Sequence, residues 1–350
     1  MPQQPVWQPW TMPSRSLPPP GPLARGAVSL RLYPHDLAPE DVVAELMAQA
    51  RLAESTGFDG VMTSEHHGGF PNYLPNPLLA AIWALEATTR AWAAPCPMLL
   101  PLRPVAHVVE DIAWAAQRFP GRVGVGFAAG AIAEDFVLSG VPFDERRDRF
   151  RATLPDAVAG LRGDADGPLA GDPAGVSLRT RPVPVVSAAQ SPAAARRAGA
   201  LGIGLLFDSL ISTRRAAEVS SVHEEAGGGG SRILIRRVWM GPPPTSAVAV
   251  QMDRYRRAAP TAARDHWGVG DSLVTSSDPG EIAEELADLL TATGCDSLNL
   301  RVFHAGTTPV KVRDQIERIG RAVLPRLRAL RPLVLGPAQG AAPGPDGPPR

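Results

Sequence analysis

Residues 57–67 read Gly-Phe-Asp-Gly-Val-Met-Thr-Ser-Glu-His-His, and this stretch decides the expected fold. The apolar run in its middle has the length of a buried strand, and it leads directly into three titratable side chains, Glu65, His66 and His67. In a barrel of parallel strands, the carboxyl ends of the strands carry the chemistry. The stretch therefore predicts a strand whose far end opens into a functional site.

Outward from this stretch, short apolar or β-branched runs alternate with longer amphipathic segments, a pattern typical of repeated βα units around a parallel sheet. In the first amphipathic segment, apolar residues recur at three and four residues from Val42 to Ala53, as in a helix that packs on a sheet. The runs predicted as strands are residues 28–33, 60–64, 93–100, 123–127, 183–187, 202–207, 233–239 and 297–302. This count predicts an α/β fold, a (β/α)8 TIM barrel with insertions after strands 4 and 7, and a doubly wound open sheet is the competing fold.

Composition limits the class of protein. The chain has 350 residues, of which 44% are hydrophobic and 20% charged, with a formal net charge of zero. We expect one globular domain over residues 27–332, between disordered tails rich in Pro and Gly at residues 1–26 and 333–350. Zero net charge argues against nucleic acid, and charges and prolines interrupt the longest apolar region, which argues against a membrane span. Two cysteines are too few for a disulfide framework and favour a cytoplasmic location.

Four of the seven histidines follow the ends of predicted strands. His66 and His67 follow the second strand and, with Glu65, are the catalytic candidates. His35 follows the first strand and His304 the last, so both are candidate substrate contacts. The alternative for His35 and His304 is a loop histidine that is hydrogen-bonded to the backbone. Because strand ends of a barrel open at one mouth, these imidazoles are expected to converge there.

Several longer segments carry a family resemblance. In chain order they are residues 49–60, the triplet 65–67, and residues 76–78, 88–90, 99–105, 110–113, 121–126, 140–142, 184–191 and 278–283. No single segment is decisive, but their order and spacing resemble the bacterial luciferase-like monooxygenases, which are flavin- or deazaflavin-dependent barrels. The resemblance extends over most of the chain, and it implies an oxidoreductase with a cofactor at the barrel mouth.

The resemblance also implies roles for particular residues. His66 would stand at the catalytic histidine position, and Arg147 at an arginine position that serves the cofactor phosphate, although Arg147 could equally be a solvated member of a charged run. Gly126 would contact the cofactor. Met98 and Leu99 would form the floor under the isoalloxazine ring, or else plain barrel core. The family's phosphate loop would correspond to Ser187, Ala188, Ala189, Gln190 and Ser191.

One departure from the family concerns residues 127–130. Phe-Ala-Ala-Gly stands there, where the family often has an arginine or glycine that serves the cofactor. One possible contact to the phosphate or ring is therefore missing, which bears on the affinity for the cofactor or on its identity.

On this resemblance we predict a flavin-dependent monooxygenase that uses reduced FMN and oxygen to oxidise a small organic substrate. A separate flavin reductase is expected to supply the reduced FMN, because the chain lacks a clear dinucleotide fingerprint. The main alternative is a coenzyme F420-dependent oxidoreductase that transfers a hydride. A metal-dependent hydrolase and a non-catalytic flavin-binding barrel are further alternatives, although no metal site is predicted, since the His-x-His expected at the first strand of such hydrolases is missing. The resemblance also implies a homodimer.

Overall fold

A closed parallel barrel forms the centre of the computed structural model, which describes residues 20–258, 267 and 273–331. Its strands are β1 (Val28–Arg31), β2 (Gly60–Thr63), β3 (Trp92–Pro95), β4 (Met98–Leu99), β5 (Val125–Ala128), β6 (Val185–Ala188), β7 (Gly204–Phe207), β8 (Arg232–Met240), β9 (Leu273–Ser276) and β10 (Ser297–Arg301).

Neighbouring strands pair in the order β3-β2-β1-β10-β8-β7-β6-β5-β4, all in parallel. β3 and β4 are two parts of one barrel strand that is interrupted at Cys96 and Pro97. A bridge between Ala93 and Val123 joins β3 to the chain just before β5, so the sheet closes on itself. This closure confirms the predicted TIM barrel over the open sheet. The sequence did not predict β9, which lies off the path beside β8.

Helices surround the strands. They are α1 (Pro39–Thr56), α2 (Pro77–Ala87), α3 (Val105–Arg118), α4 (Glu134–Val137), α5 (Arg146–Leu161), α6 (Pro173–Ser177), α7 (Pro192–Ala200), α8 (Thr213–Glu225), α9 (Thr245–Ala258), α10 (Pro279–Thr293), α11 (Pro309–Arg318) and α12 (Leu324–Leu330). Several begin with a proline, which the first turn tolerates because its N–H would have no helical partner. Among the described helices, none combines the length and apolar character needed to cross a lipid bilayer.

The barrel interior and the layer under the helices are two separate apolar clusters. Along β8, Ile233 and Ile235 belong to the interior cluster, whereas Leu234 and Val238 belong to the layer under the helices. This alternation is that of a strand whose successive side chains point to opposite faces. Arg237 is therefore the next inward-facing position of β8, one layer nearer the carboxyl end.

The disordered tail predicted at residues 1–26 extends too far along the chain, because residues 20–26 pack against the barrel. Leu23 is buried in the interior cluster. Ser231 Oγ donates a hydrogen bond to the Leu23 carbonyl over 2.6 Å, and Ser297 Oγ donates to the Ala24 carbonyl over 3.0 Å. Because Ser231 and Ser297 stand at the starts of strands, residues 20–26 cross the amino-terminal end of the barrel. Residues 1–19 and the predicted tail at 333–350 lie outside the described residues.

Candidate active site

His66 lies just beyond β2, at the carboxyl end of the barrel, and Asp135 of α4 fixes its ring. Nδ1 of His66 is 2.8 Å from Asp135 Oδ2, and Asp135 Oδ1 accepts the backbone N–H of His67 over 2.8 Å. A carboxylate accepts hydrogen bonds, so Nδ1 of His66 carries a proton, and in the neutral imidazole Nε2 has a free lone pair. The His66 side chain is 20% exposed, whereas that of Asp135 is 1% exposed.

Two aromatic rings hold the His66 imidazole from its sides. Phe70 stacks on the imidazole with 4.6 Å between ring centroids, and Tyr73 meets it edge-on at 4.3 Å. Together with the bond to Asp135, these contacts fix the plane of the ring. The imidazole is therefore oriented before any ligand binds, as a proton-transfer group must be.

Glu65 links three parts of the site. Its Oε1 accepts from His67 Nε2 over 2.6 Å and forms an ion pair with Arg103 Nη1 at 2.7 Å. Its Oε2 accepts the backbone N–H of Leu99 over 2.8 Å. Both carboxylate oxygens are thus engaged within the protein. Glu65, predicted among the catalytic candidates, is placed as a positioning residue that ties the loop after β2 to the end of β4.

Three residues predicted as cofactor contacts, Met98 and Leu99 for the floor under the ring and Gly126, lie in different surroundings. Met98 belongs to the apolar cluster under the helices, because strand residues alternate between faces. A Cβ built on Gly126 would overlap Cys96 Sγ, so Gly126 faces the barrel interior below the mouth and not a cofactor. Leu99 belongs to neither cluster, and its side chain lies beside the loop after β5 at Gly130. Of the three, Leu99 is the residue placed to form a floor at the mouth.

The predicted phosphate loop joins β6 to α7. The Ser191 side chain caps α7 by accepting the N–H of Ala194 over 3.3 Å. Gln190 Oε1 is buried without a hydrogen-bond partner in the described part of the chain. Because the amide group can turn by 180°, this side chain can offer its NH2 donors to a ligand. Arg215 of α8 donates its Nε–H to the Gln190 carbonyl over 3.2 Å, which brings a cation to the same loop.

These features fit a phosphate group: an unpartnered amide, a helix amino terminus and a guanidinium lie at one loop. Ala188 and Ala189 leave the backbone open to close approach. Ser187, by contrast, alternates with the inward-facing Val186 and therefore points toward the helices. Of the residues predicted to form the phosphate loop, Ser187 therefore points away from the barrel mouth.

The arginine nearest the mouth after residues 140–142 is Arg146. Its Nε donates to the Gly130 carbonyl over 3.3 Å, and its guanidinium lies 3.7 Å from the centroid of the Phe143 ring. Arg147, which was predicted as the phosphate contact, is exposed on α5. Helical geometry explains the difference, because adjacent residues of a helix point in directions about 100° apart.

His35 has no ring nitrogen free for a substrate. Its Nδ1 donates to the Thr307 carbonyl over 3.2 Å, and its Nε2 accepts from Gln49 Nε2 over 2.9 Å. Burial lowers the pKa of His35, which keeps the imidazole neutral in this arrangement. His35 thus matches the alternative of a loop histidine hydrogen-bonded to the backbone. Its ring nitrogens are not available for the predicted contact with a substrate.

His304 is completely buried beyond β10, and neither of its ring nitrogens has a hydrogen-bond partner among the described residues. Burial lowers the pKa of His304 to about 3, with the charges of Arg301 and Arg237 adding to the effect. Arg301 donates to the Tyr255 hydroxyl over 2.7 Å, and that hydroxyl lies 3.0 Å from the Tyr73 hydroxyl. A polar network therefore connects β10 to the ring that packs on His66.

Sequence reasoning missed Asp135, Arg103 and Arg215, and it missed the arginines of β8 and β10. Asp135 stands in a segment without the periodic apolar pattern of a helix or strand, so the sequence does not indicate that it lies in the site. Arg237 does carry one, since it interrupts a strand whose other residues are mostly apolar. As for metals, His66 and His67 pair with different carboxylates, and the described residues hold no group of three His, Cys, Asp or Glu side chains arranged as metal ligands.

Comparison with known proteins agrees with this geometry. A family model described as luciferase-like monooxygenase matches residues 27–319. The alkanal monooxygenase alpha chain of Photorhabdus luminescens is 26% identical over 214 residues, a match that covers 57% of this chain and 58% of the relative. The chain thus spans little more than half the length of this relative.

Two solved structures share the fold. The oxygenating constituent of 3,6-diketocamphane monooxygenase from Pseudomonas putida, in complex with FMN, has a TM-score of 0.66 at 18% identity, over 86% of this chain and 98% of that one. An F420-dependent secondary alcohol dehydrogenase, in complex with an F420-acetone adduct, has a TM-score of 0.68 at 18% identity, over 87% of this chain and 99% of that one. At 18% identity, these two matches show a shared fold and nothing more.

Proposed function

The chain belongs to the luciferase-like monooxygenase family, and on that premise we propose that it is a flavin-dependent monooxygenase that uses reduced FMN and oxygen to oxidise a small organic substrate. The observation that carries the proposal is the His66 imidazole, which Asp135 holds with Nε2 free at the carboxyl end of the barrel. A separate flavin reductase would supply reduced FMN, and the protein would act as a cytoplasmic homodimer. Both cysteines are free and buried, which fits a reducing compartment.

Bound reduced FMN would supply the electrons that activate dioxygen. The residues of this chain have separate tasks around it. Gln190, Ser191 and Arg215 would hold the phosphate, and Arg146 is the nearest further cation. Leu99 would support the ring, and Glu65 fixes Leu99 through its backbone N–H.

His66 would accept and return a proton at Nε2 during oxidation of the substrate. Asp135 keeps the proton on Nδ1 and so keeps Nε2 available. Phe70 and Tyr73 cover two sides of the imidazole, which limits the access of water to it. His67, bonded to Glu65, supports the loop on which His66 stands.

Hydride transfer with coenzyme F420 is the second candidate function. One observation bears on it: residues 127–130 depart from the arginine or glycine that often serves the cofactor after β5 in the family, and such a departure fits a different cofactor. The structural likeness to an F420-dependent alcohol dehydrogenase is compatible with either cofactor, because it concerns the fold.

Anaerobic titration of the full chain with FMN and F420, each oxidised and reduced, tests the proposal. We expect reduced FMN to bind at least about tenfold more tightly than reduced F420, and the reverse order would establish the second candidate. Absence of binding of either cofactor at about 1 mM, a free energy near −4 kcal/mol, would refute both.

Mixing the reduced FMN complex with oxygen then separates an enzyme from a passive flavin-binding barrel. We expect His66→Asn to change the rate of cofactor reoxidation by about tenfold or more, as for loss of a general acid–base group. His107→Asn is the matched control, since His107 is exposed on α3. If the parent protein, His66→Asn and His107→Asn all reoxidised FMN at the rate of free reduced FMN, the protein would bind the cofactor without catalysis.

A further inference from the structure

Three arginines lie side by side near the mouth of the barrel. Arg237 of β8 and Arg301 of β10 are Cα partners in the sheet, and Arg31 of β1 follows the paired residues Leu30 and Leu300. All three side chains are buried. Among the described residues, no ion pair joins any of them to a carboxylate. Such a row of buried cations without ion-paired carboxylates is unusual, because an unpaired buried charge is unfavourable.

Two of the three have neutral partners inside the protein. Arg31 donates its Nε–H to Asn299 Oδ1 over 2.6 Å. Arg301 donates to the Tyr255 hydroxyl over 2.7 Å, and its guanidinium lies 4.2 Å from the centroid of the Tyr33 ring. These two side chains are therefore held in place.

Arg237 differs from both. It is 1% exposed, yet in the described part of the chain Nε, Nη1 and Nη2 all lack hydrogen-bond partners. The Tyr255 ring, with its centroid 5.8 Å from the guanidinium carbon, is a distant neighbour only. The largely buried carboxylate of Asp208, just after β7, interacts electrostatically with Arg237 but forms no ion pair with it, and its Oδ1 accepts the backbone N–H of Leu210. The described residues thus leave the donors of this guanidinium without acceptors.

His304 adds hydrogen-bonding capacity to the same region. Both of its buried ring nitrogens lack partners among the described residues, and the ring lies 5.8 Å from that of Trp239. As a neutral imidazole it has one N–H donor to offer. Two unpartnered, buried side chains, one on β8 and one just beyond the adjacent β10, are typical of a binding site whose acceptor comes with the ligand.

We propose that Arg237 and His304 bind an oxyanion carried by the substrate, either a carboxylate or a phosphate. This inference rests on the proposed function, which it deepens by naming the class of substrate. A planar carboxylate matches the guanidinium fork, and the neighbouring cations Arg301 and Arg31 favour a negative group. Tyr33 stacks on Phe303 at 5.2 Å between ring centroids, so the walls beside this site are aromatic and suit an apolar body on the substrate.

The strand order separates this site from the expected cofactor loops. Around the barrel, β10 lies opposite β5, and β8 lies opposite the β3–β4 strand. The residues expected to hold the cofactor follow β4, β5 and β6. Arg237 and His304 therefore face the cofactor side across the mouth, where a substrate would lie against the ring.

Calorimetric titration of the full chain without cofactor tests the inference, with benzoate, its neutral analogue benzamide and inorganic phosphate as probes. We expect benzoate to bind at least about tenfold more tightly than benzamide. Arg237→Gln should abolish this preference, and His304→Phe should weaken it. Arg321→Gln is the matched control, since Arg321 is an exposed arginine paired with Glu317, and it should leave the preference unchanged.

Thermal unfolding without ligand provides a second measurement, which distinguishes a binding role of Arg237 from a structural one. Replacing an unpartnered buried cation by a neutral amide should raise the Tm by about 2–5 °C. A fall in Tm would mean that the guanidinium has partners in the protein, and it would overturn the inference.

The outcomes are distinct. Equal affinities for benzoate and benzamide, or a benzoate preference that survives in Arg237→Gln, would overturn the oxyanion site. Tighter binding of phosphate than of benzoate, lost in Arg237→Gln, would assign the group as a phosphate. Weaker FMN binding in Arg237→Gln with unchanged benzoate binding would assign the guanidinium to the cofactor and overturn the inference. Because the probes are titrated without flavin, failure of the monooxygenase proposal would leave these results intact.

Discussion

Asp135 follows His66 by 69 residues in the chain, yet its Oδ2 lies 2.8 Å from Nδ1 of His66. Its other oxygen, Oδ1, accepts the backbone N–H of His67. One buried carboxylate therefore sets both the tautomer of the imidazole and the position of the loop that carries it. The barrel brings the two together, because the segments after β2 and β5 rise from the same end of the sheet.

Replacement of Asp135 by Asn should impair turnover while leaving the fold intact. An amide has one acceptor oxygen for two donors, so its NH2 group would face His66 Nδ1 and move the imidazole proton to Nε2. We expect the reaction of the reduced-cofactor complex to slow by about 10²-fold or more, by analogy with a wrong tautomer in a catalytic triad.

Long-range 1H–15N spectra of the imidazole report the tautomer directly in Asp135→Asn. Asp314→Asn serves as the control, because Asp314 is exposed and pairs with Arg318 on the surface. If His66 kept its proton on Nδ1 in Asp135→Asn, the assigned role of Asp135 would be wrong.

The ion pair between Glu65 and Arg103 should couple strongly in a double-mutant cycle. Glu65 is buried, and Glu65→Gln would leave the partly exposed Arg103 and His67 without a charged acceptor. We expect Glu65→Gln to lower the free energy of unfolding by about 3 kcal/mol. The loss should be smaller in an Arg103→Met background, and urea denaturation of the four proteins measures the difference. Additive losses would show that the pair does not act as a unit.

His304 should make the ligand-free protein sensitive to acid. Its pKa is about 3 in the folded state, against an ordinary value of 6.5. As pH falls below 6.5, the unfolded chain therefore binds a proton that the folded protein does not, and stability decreases until pH reaches about 3. Between pH 7 and 4.5, this term amounts to about 2–3 kcal/mol.

The His304→Gln variant should lose this term, so its urea midpoint should fall less than that of the parent protein over the same pH interval. His107→Gln should behave like the parent, because His107 is exposed. Parallel pH profiles for His304→Gln and the parent would contradict the burial of a neutral imidazole.

Gly126 should not tolerate even a methyl group. A Cβ at this position would overlap Cys96 Sγ and approach Val186 Cγ2 to 3.1 Å. We expect Gly126→Ala to cost about 1–3 kcal/mol of unfolding free energy, as for other overpacked cores. Cys96→Ala in the same chain should recover much of the loss. Gly171→Ala is the control, because nothing lies within 4 Å of a Cβ built there. A neutral Gly126→Ala would return Gly126 to the cofactor-contact candidates.

The barrel was predictable because its strands are buried on both faces and therefore appear in the sequence as continuous apolar runs. Two features departed from that rule. β9 has a single buried residue, Val274, so its sequence lacks the apolar signal. The segment at residues 20–26 contributes Leu23 to the interior from within a stretch rich in Pro and Gly, and composition alone assigned that stretch to a tail.

The site was predictable only where its residues adjoin a strand. Glu65, His66 and His67 follow β2 directly, so their placement at the mouth came with the fold. Asp135 could not be found in this way, because its contact with His66 depends on the path of a loop. Arg237 could have been found, since an arginine inside an otherwise apolar strand has to be either paired or functional.

Residues 20–26 have a practical consequence for anyone who shortens this protein. Leu23 shares the interior cluster with Met62 and Trp92, and none of the described strands covers them from the amino-terminal side. A fragment that began at Ala27 would admit bulk water beneath the indole of Trp92. A shortened protein that keeps the interior cluster covered must therefore retain Leu23.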